Sequence, residues 1–377
     1  MSTELDPIIA EVRRFAENTL WPAATRHDEE GLWVGAHLPT LSALGLMGAN
    51  LPADFGGAGI GPHLLAEVVA AVASACPATA SMLTAHYLAT DAILLGGTPE
   101  QREDLLPRMA AGALGAFALT EPEAGSNPQD MTSRAERKGA AYRLKGAKQF
   151  ISNAGRAEII VLFAKTDPEA GSRGISAFAV PRATPGLDIG PPERTMGLKG
   201  AHVFPLAFDM EVPSASRLGD EGSGFKTAMR VLDNGRLEVA AMAIGIARRA
   251  LALATHWAKA RQVGGRPLAD NQGIQWMLAN MVADLAAAEA LSREATARRA
   301  TDSRFSRESA IAKLVASEMA GRVTDQALQI HGGYGYTRDL ALERLARDAR
   351  ILRIYEGASE IQRTIIARDI LANGISR

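Results

Sequence analysis

The chain has 377 residues, 47% of them hydrophobic and 22% charged, with a formal net charge of −1. That length and composition describe a folded globular protein of two or three domains and exclude a disordered chain. The near-neutral charge argues against nucleic acid as the main partner, and the single cysteine, Cys76, excludes an intrachain disulfide.

The elements fall into three blocks. Residues 1–114 read as helical. The acidic start has no apolar core and does not read as a signal peptide, and no apolar run approaches the ~20 residues of a membrane helix. A cytoplasmic chain is expected, or an organelle-matrix one whose presequence has been removed. Ile8, Ile9, Val12, Phe15 and Leu20 recur at helical spacing, and Pro22 is expected to end that helix. Leu38 to Leu46 predicts a second short helix. Residues 63–95 are dense in Ala, Val and Leu, which predicts helices buried on most sides. Thr98 is the predicted N-cap of the next helix, with Pro99 at its first position.

Between 115 and 220 the period changes. β-rich runs at Ile159–Ala164, Ile175–Val180 and Val203–Met210 alternate with turn clusters, and prolines at 181, 185, 191, 192, 205 and 213 exclude a helical domain. A small antiparallel β barrel or sandwich is predicted. From 221 to 377 the chain is helical again. Ile274, Leu278, Met281, Leu285 and Ala288 share one helical face, as do Ile311, Leu314, Val315, Met319 and Val323, the pattern of a bundle. The whole is an α+β protein, mainly α.

Four stretches carry chemistry. Phe117-Ala-Leu-Thr-Glu-Pro-Glu-Ala-Gly-Ser126 joins the helical block to the β block and offers hydroxyls and turn amides to a polar ligand, or is a plain turn. Lys148-Gln-Phe-Ile-Ser-Asn153 is a strand end with an aromatic and a hydroxyl, suited to core packing or to a ligand shelf. Gln329-Ile-His-Gly-Gly-Tyr-Gly-Tyr336 has glycines that imply a helix C-cap or a closely approaching ligand, and lacks the ending of a P-loop. In Arg353-Ile-Tyr-Glu-Gly-Ala-Ser-Glu-Ile-Gln-Arg363, Ser359 and Gln362 have capping-box spacing. Glu356 there is flanked by apolar residues. Burial would raise its pKa and the nearby helix N-terminus would lower it; the sequence leaves that balance open.

Together and in this order the stretches resemble the acyl-CoA dehydrogenase family along essentially the whole chain. Leu119 to Ser126 matches the family's first signature, and Gln329 to Asp348, with Arg344 and Asp348 in place, its second. The resemblance implies an N-terminal helical domain (1–114), a middle β domain (115–220) and a C-terminal four-helix bundle domain (221–377). It implies FAD wedged between the last two, and a homotetramer built as a dimer of dimers. By that resemblance Phe117, Leu119, Thr120, Phe150, Ile151 and Ser152 lie around the flavin ring. Gly125 and Ser126 contact FAD, Ser126 also the CoA chain, and Ser359 lies near the cofactor. Arg261 and Gln272 reach FAD across the dimer interface, and Gln329, Gly332 and Gly333 its pyrophosphate and adenosine end. Asp233, Arg236, Tyr355 and Gly357 lie beside the substrate. No metal is expected.

The implied reaction removes the weakly acidic α-proton of an acyl-CoA thioester. Glu356 is the base, and its own N–H and a flavin ribityl hydroxyl stabilise the enolate. The β-hydrogen goes to the flavin, the product is the trans-2-enoyl thioester, and electrons pass to an electron-transfer flavoprotein. Asn127, Gly264 and Ala358 depart from the family pattern at positions bearing on FAD affinity. Gly235 leaves no carboxylate where some members carry their base. The alternatives are a same-fold oxidase or monooxygenase, and a catalytically silent binding protein. An apolar acyl pocket of short to medium length is expected, with Thr79 where dicarboxylyl-specific members carry arginine; the sequence leaves open a carrier-protein thioester in place of CoA.

Overall fold

The computed structural model describes residues 7–301 and 304–375. The first block holds α1 (Pro7–Phe15), α2 (Trp21–Glu29), α3 (Leu38–Ala43), α4 (Pro62–Ala75), α5 (Pro77–Gly96) and α6 (Pro99–Ala110). Pro22 does not end the first helix. A π turn, Ala16–Leu20, joins α1 to α2, and Pro22 lies in the first turn of α2, where its missing N–H breaks no hydrogen bond. Thr98 caps α6 through a capping box with Gln101, and Pro99 follows it. α5 is buried on nearly every side from Pro77 to Ile93, as its apolar density predicts.

The middle block is a single sheet of β1 (Gly115–Ala118), β2 (Arg134–Lys138), β3 (Ala141–Ser152), β4 (Ile159–Lys165), β5 (Ile175–Pro181), β6 (Leu187–Ile189), β7 (Val203–Pro213) and β8 (Arg217–Leu218). The order is β6-β7-β3-β2-β4-β5-β8, with β1 on β4. The pairing is antiparallel except that β1 and β2 each run parallel to β4. β1 runs beside β4 from its first residue, while β2 meets β4 only at its last, Arg134 opposite Lys165. β4 is apolar without alternation because both its faces are covered. Ile160, Leu162 and Ala164 fill the sheet's own core, while Ile159, Val161 and Phe163 pack towards α5 and α6.

The last block runs through α7 (Gly224–Ala260), a hairpin of β9 (Gln262–Val263) and β10 (Arg266–Pro267), α8 (Gln272–Thr301), α9 (Ser306–His331), α10 (Gly333–Tyr336), α11 (Leu342–Arg350) and α12 (Ser359–Asn373). α7, α8 and α9 pack on one another, and α12 lies on α9. α7 is also the seam of the molecule: its buried face meets α4 and α5, and one continuous core joins the first block to the last. That seam is where the Glu356 turn closes.

Candidate active site

Glu356 lies between the 3-10 turn Ile351–Arg353 and α12. Its backbone is left-handed, φ 52°, and Gly357 follows at φ 86°. A non-glycine residue there carries strain of roughly 1–3 kcal/mol and persists only where its surroundings hold it. Gln362 donates from α12 to the carbonyls of Glu356 (3.2 Å) and Gly357 (2.8 Å), and buried Lys313 donates from α9 to the Gly357 carbonyl at 2.6 Å. The Ser359–Gln362 capping box does not form. Ala358 is the N-cap, Ser359 Oγ donates to Glu318 at 2.7 Å, and Gln362 is drawn to the turn's carbonyls, which need donors once buried.

The Glu356 Oε2 is shut off from solvent and has no hydrogen-bond partner. Burial pushes the carboxyl up to about 7, while the charges of Lys313 and Arg236 pull it down. Burial outweighs those two charges. Beneath the carboxylate is Gly235 of α7: a Cβ there would stand 3.1 Å from Oε2 and 2.8 Å from Leu88 Cδ2. Arg236, buried, pairs with Asp233, which also accepts from Ser306. The Tyr355 hydroxyl donates to Met242 Sδ at 3.5 Å, and burial raises its pKa.

The first two motifs meet at one end of the sheet. The β3–β7 register slips between Lys148 and Ile151, and Phe150 emerges from the bulge at φ 59° with its ring 63% exposed. The Gln149 N–H donates to the Thr120 carbonyl at 2.9 Å, which ties the bulge to the end of β1. Phe117 packs on Phe163 with ring centroids 4.9 Å apart. Leu119 and Ile151 are buried, so their side chains serve the core and only their backbone faces the shelf, while Gly125 and Ser126 are exposed. A bulge spending strain to expose an aromatic beside the Thr120 and Ser152 hydroxyls suits a planar polar ring.

The third motif forms a separate cleft. α9 ends at His331, and Gly332 turns the chain at φ 60° into α10. A Cβ at Gly332 or Gly333 would meet no atom within 4 Å, so the turn opens onto free space. The cleft, about 440 Å³, is lined by Trp257, Arg261, His331, both glycines and Tyr334 among others, and by no residue of the first two motifs. Arg261 stacks over Trp257 and Tyr334, while Gln329 and Gln272 are exposed. Open glycine backbone, stacked aromatics and a guanidinium are a donor set that fits the phosphate and base of a dinucleotide such as FAD.

Four charged residues were not singled out from sequence. Lys148 and Glu121 form an ion pair at 2.8 Å inside the β domain. Lys313 braces the Gly357 turn, and Glu238 is buried on α7 near Glu356. With Asp91, Glu238 makes the ground between α5 and α7 less apolar than expected. Two second-signature residues tie blocks together instead of lining a cleft. Asp348 accepts from the Leu198 N–H at 2.6 Å, and Arg344 donates to Thr25 and lies over Trp21. Cys76 is buried with its thiol pKa raised, as expected of an inert core residue. Among the described residues no His, Cys, Asp or Glu group suits a metal, and no helix is long and apolar enough to cross a membrane.

A carboxyl near neutrality held in a strained turn, an exposed aromatic shelf and a glycine-lined cleft fit a flavin-type oxidoreductase. Comparison with known proteins narrows this. Models of the N-terminal, middle and C-terminal domains of acyl-CoA dehydrogenases match residues 2–113, 116–210 and 222–371. The chain is 45% identical over 363 residues to an acryloyl-CoA reductase (NADH) of Anaerotignum propionicum, covering 95% of this chain and 92% of that one. It superposes on butyryl-CoA dehydrogenase from Megasphaera elsdenii with a TM-score of 0.94, 37% identity and coverage of 98% and 100%. A chain from a structure of the electron transferring flavoprotein of Acidaminococcus fermentans gives a TM-score of 0.95 at 36% identity, covering 99% and 100%. The chain belongs to the acyl-CoA dehydrogenase family, and it is an FAD-dependent oxidoreductase of that family.

Proposed function

We propose that the chain oxidises a short-chain acyl-CoA thioester between its α and β carbons, with Glu356 as the base. One observation carries this reading: a dry carboxylate oxygen with no partner, on a group titrating at about 7, in a turn whose strain the surroundings maintain. A base tuned near neutrality suits a very weak carbon acid. Bound FAD supplies the acceptor for the β-hydrogen. Thr120, Phe150 and Ser152 would hold its ring, with Phe117, Leu119, Gly125, Ser126, Ile151 and Ser359 around it. Gln329, Gly332 and Gly333 would hold its pyrophosphate end. Tyr355 and Gly357 would flank the thioester. Asp233 and Arg236 would sit beside it, with Arg236 helping to keep Glu356 from rising further.

Exposed Arg261 and Gln272 would reach the cofactor of a second subunit in a homotetramer. Exposed Val263, Trp276 and Val282 on and next to α8 support such an interface. The butyryl-CoA and acryloyl-CoA specificities in the names of similar proteins support a short acyl group, and the match to a chain of an electron transferring flavoprotein structure supports that type of acceptor. Among the described residues of α4 and α5 there is no lysine or arginine to meet a second carboxylate. Anaerobic mixing of yellow holoenzyme with butyryl-CoA should bleach the flavin. Faster turnover of glutaryl-CoA than of butyryl-CoA would overturn the substrate class, and rapid reoxidation by oxygen would move the protein to the oxidases.

A further inference from the structure

Glu238 lies on α7 one helical turn beyond Gly235, the residue under the Glu356 carboxylate, and one turn before Met242, which meets the Tyr355 hydroxyl. All three share a face of the helix. Glu238 is 2% exposed, and neither of its oxygens has a hydrogen-bond partner. Its neighbour across the seam, Asp91 on α5, is also 2% exposed but fully engaged. It accepts from Asn50 at 2.7 Å and from Asn234 at 2.6 Å. The charge of Arg299 reaches both carboxyls, and Tyr87, Tyr355 and Glu356 are the other titratable groups that interact with Glu238. A carboxyl kept dry and unpaired beside a satisfied one is costly, and a leucine would pack there without that cost. Burial, and then the charge of Asp91, hold its pKa well above the usual range, so it offers a donor as well as an acceptor.

We propose that Glu238 recognises the far end of the acyl group, and that the thioester this enzyme selects carries a hydrogen-bond donor, a hydroxyl or an ammonium, a few carbons beyond the α-carbon. The proposal rests on the reading of Glu356 as the base. One turn of α7 rises ~5 Å, which places Glu238 opposite the third or fourth acyl carbon counted from the thioester carbonyl. The orphaned oxygens are then the ground state of a site that only the right acyl group completes. A pocket built this way favours the polar group over an isosteric methyl, because only the polar group gives the dry carboxyl a partner.

The test compares 4-hydroxybutyryl-CoA and 4-aminobutyryl-CoA with pentanoyl-CoA, whose acyl group has the same number of heavy atoms, using the holoenzyme and reading kcat/KM. One polar thioester should exceed pentanoyl-CoA by roughly 10²-fold or more. Glu238→Leu should invert that ratio. Glu238→Gln should keep a preference for the hydroxyl and lose one for the ammonium, which tells the two apart. Glu238→Leu should also raise the thermal midpoint by a few degrees, since it removes an unpartnered buried carboxyl. A fall in that midpoint would mark Glu238 as structural and overturn the proposal, as would a wild-type enzyme that favours pentanoyl-CoA over both polar thioesters. If butyryl-CoA bleaches the flavin while the polar preference is absent, only this inference fails. If no thioester bleaches it, the reading of Glu356 fails as well.

Discussion

Glu121 and Glu356 are both buried carboxylates, and they titrate in opposite directions. Burial is the largest influence on each and pushes both upward. Glu121 nevertheless falls to about 2, because Lys148 pairs with it and Thr132 and Ser133 donate to it. Glu356 rises to about 7, because Lys313 and Arg236 act on it from a distance and nothing donates to its Oε2. The same residue type thus serves as a strut in one place and a poised base in another. The partners that reach each carboxylate separate the two roles. Lys148 also donates to the Leu119 carbonyl at 3.0 Å, so the strut fixes the loop beneath the Phe150 shelf.

The comparison is tested hardest at Glu356. Glu356→Gln keeps size and shape but removes basicity, and the rate of anaerobic bleaching should fall by ~10²–10⁴-fold with FAD retained. Bleaching near the wild-type rate would shift the base to Asp233 or a bound water. The carboxylate should also be movable. Gly235 and Glu356 share one space, so Gly235→Glu restores activity only when Glu356→Gly clears that space. Adding Gly235→Glu to Glu356→Gln should clash.

Next in size is the strut. Lys148→Met strands the charge of Glu121, which should cost about 3–5 kcal/mol in denaturant unfolding. Adding Glu121→Leu should recover much of that loss. A loss below ~1 kcal/mol for Lys148→Met alone would mean that the pair is not what holds Glu121 down.

The two carboxyls also predict opposite responses to pH. The folded value of Glu121 is depressed, from 4.5 to about 2. Its contribution is therefore present above 4.5 and is lost as pH falls towards 2. The folded value of Glu356 is raised, from 4.5 to about 7. The unfolded chain ionises first as pH rises through that window, so this group removes stability there, by at most ~3 kcal/mol at 1.36 kcal/mol per unit. Thermal midpoints of wild type and Glu356→Gln should coincide below pH 4.5 and separate in favour of the variant towards pH 7. Parallel curves would show that Glu356 has an ordinary pKa.

Much of this was legible in the sequence, for reasons that also set the limit. The helix–sheet–helix order followed from a change of hydrophobic period at about residue 115 and back at about 221. The glycine turn and the Glu356 turn were visible because Gly332 and Gly357 mark left-handed backbone positions that few other residues accept. Partnership was not visible. Lys313 reaches Gly357 from 44 positions away and Lys148 reaches Glu121 from 27, and no local period encodes such pairs. The same blindness produced the Ser359–Gln362 box, whose spacing was right while Glu318 and the turn's own carbonyls were better partners. It also left the parallel pairing of β1 and β4 unread, since register between distant strands leaves no mark on either.

The smallest effect is expected at Lys313, where the two kinds of carboxyl environment meet. Its ammonium is buried, and burial pushes it down to about 8. It pulls Glu356 downward without touching the carboxylate, because its proton goes to the Gly357 carbonyl. Lys313→Gln keeps an amide donor near that carbonyl but removes the charge. Glu356 should then titrate higher, by ~1 unit if the interaction resembles others across a partly screened gap. A base with a higher pKa stays protonated to a higher pH. The acid limb of kcat/KM should therefore move to higher pH, with ~10-fold lower activity on that limb and little change on the plateau. The difference should be fully present below pH 8, where the wild-type lysine is charged, and should narrow above it. Lys313→Arg retains charge and donor, and should leave the limb where it is. If Lys313→Gln lowers the plateau and leaves the limb unmoved, Lys313 braces the turn and does not tune the base, and Glu356 owes its value to burial and Arg236 alone.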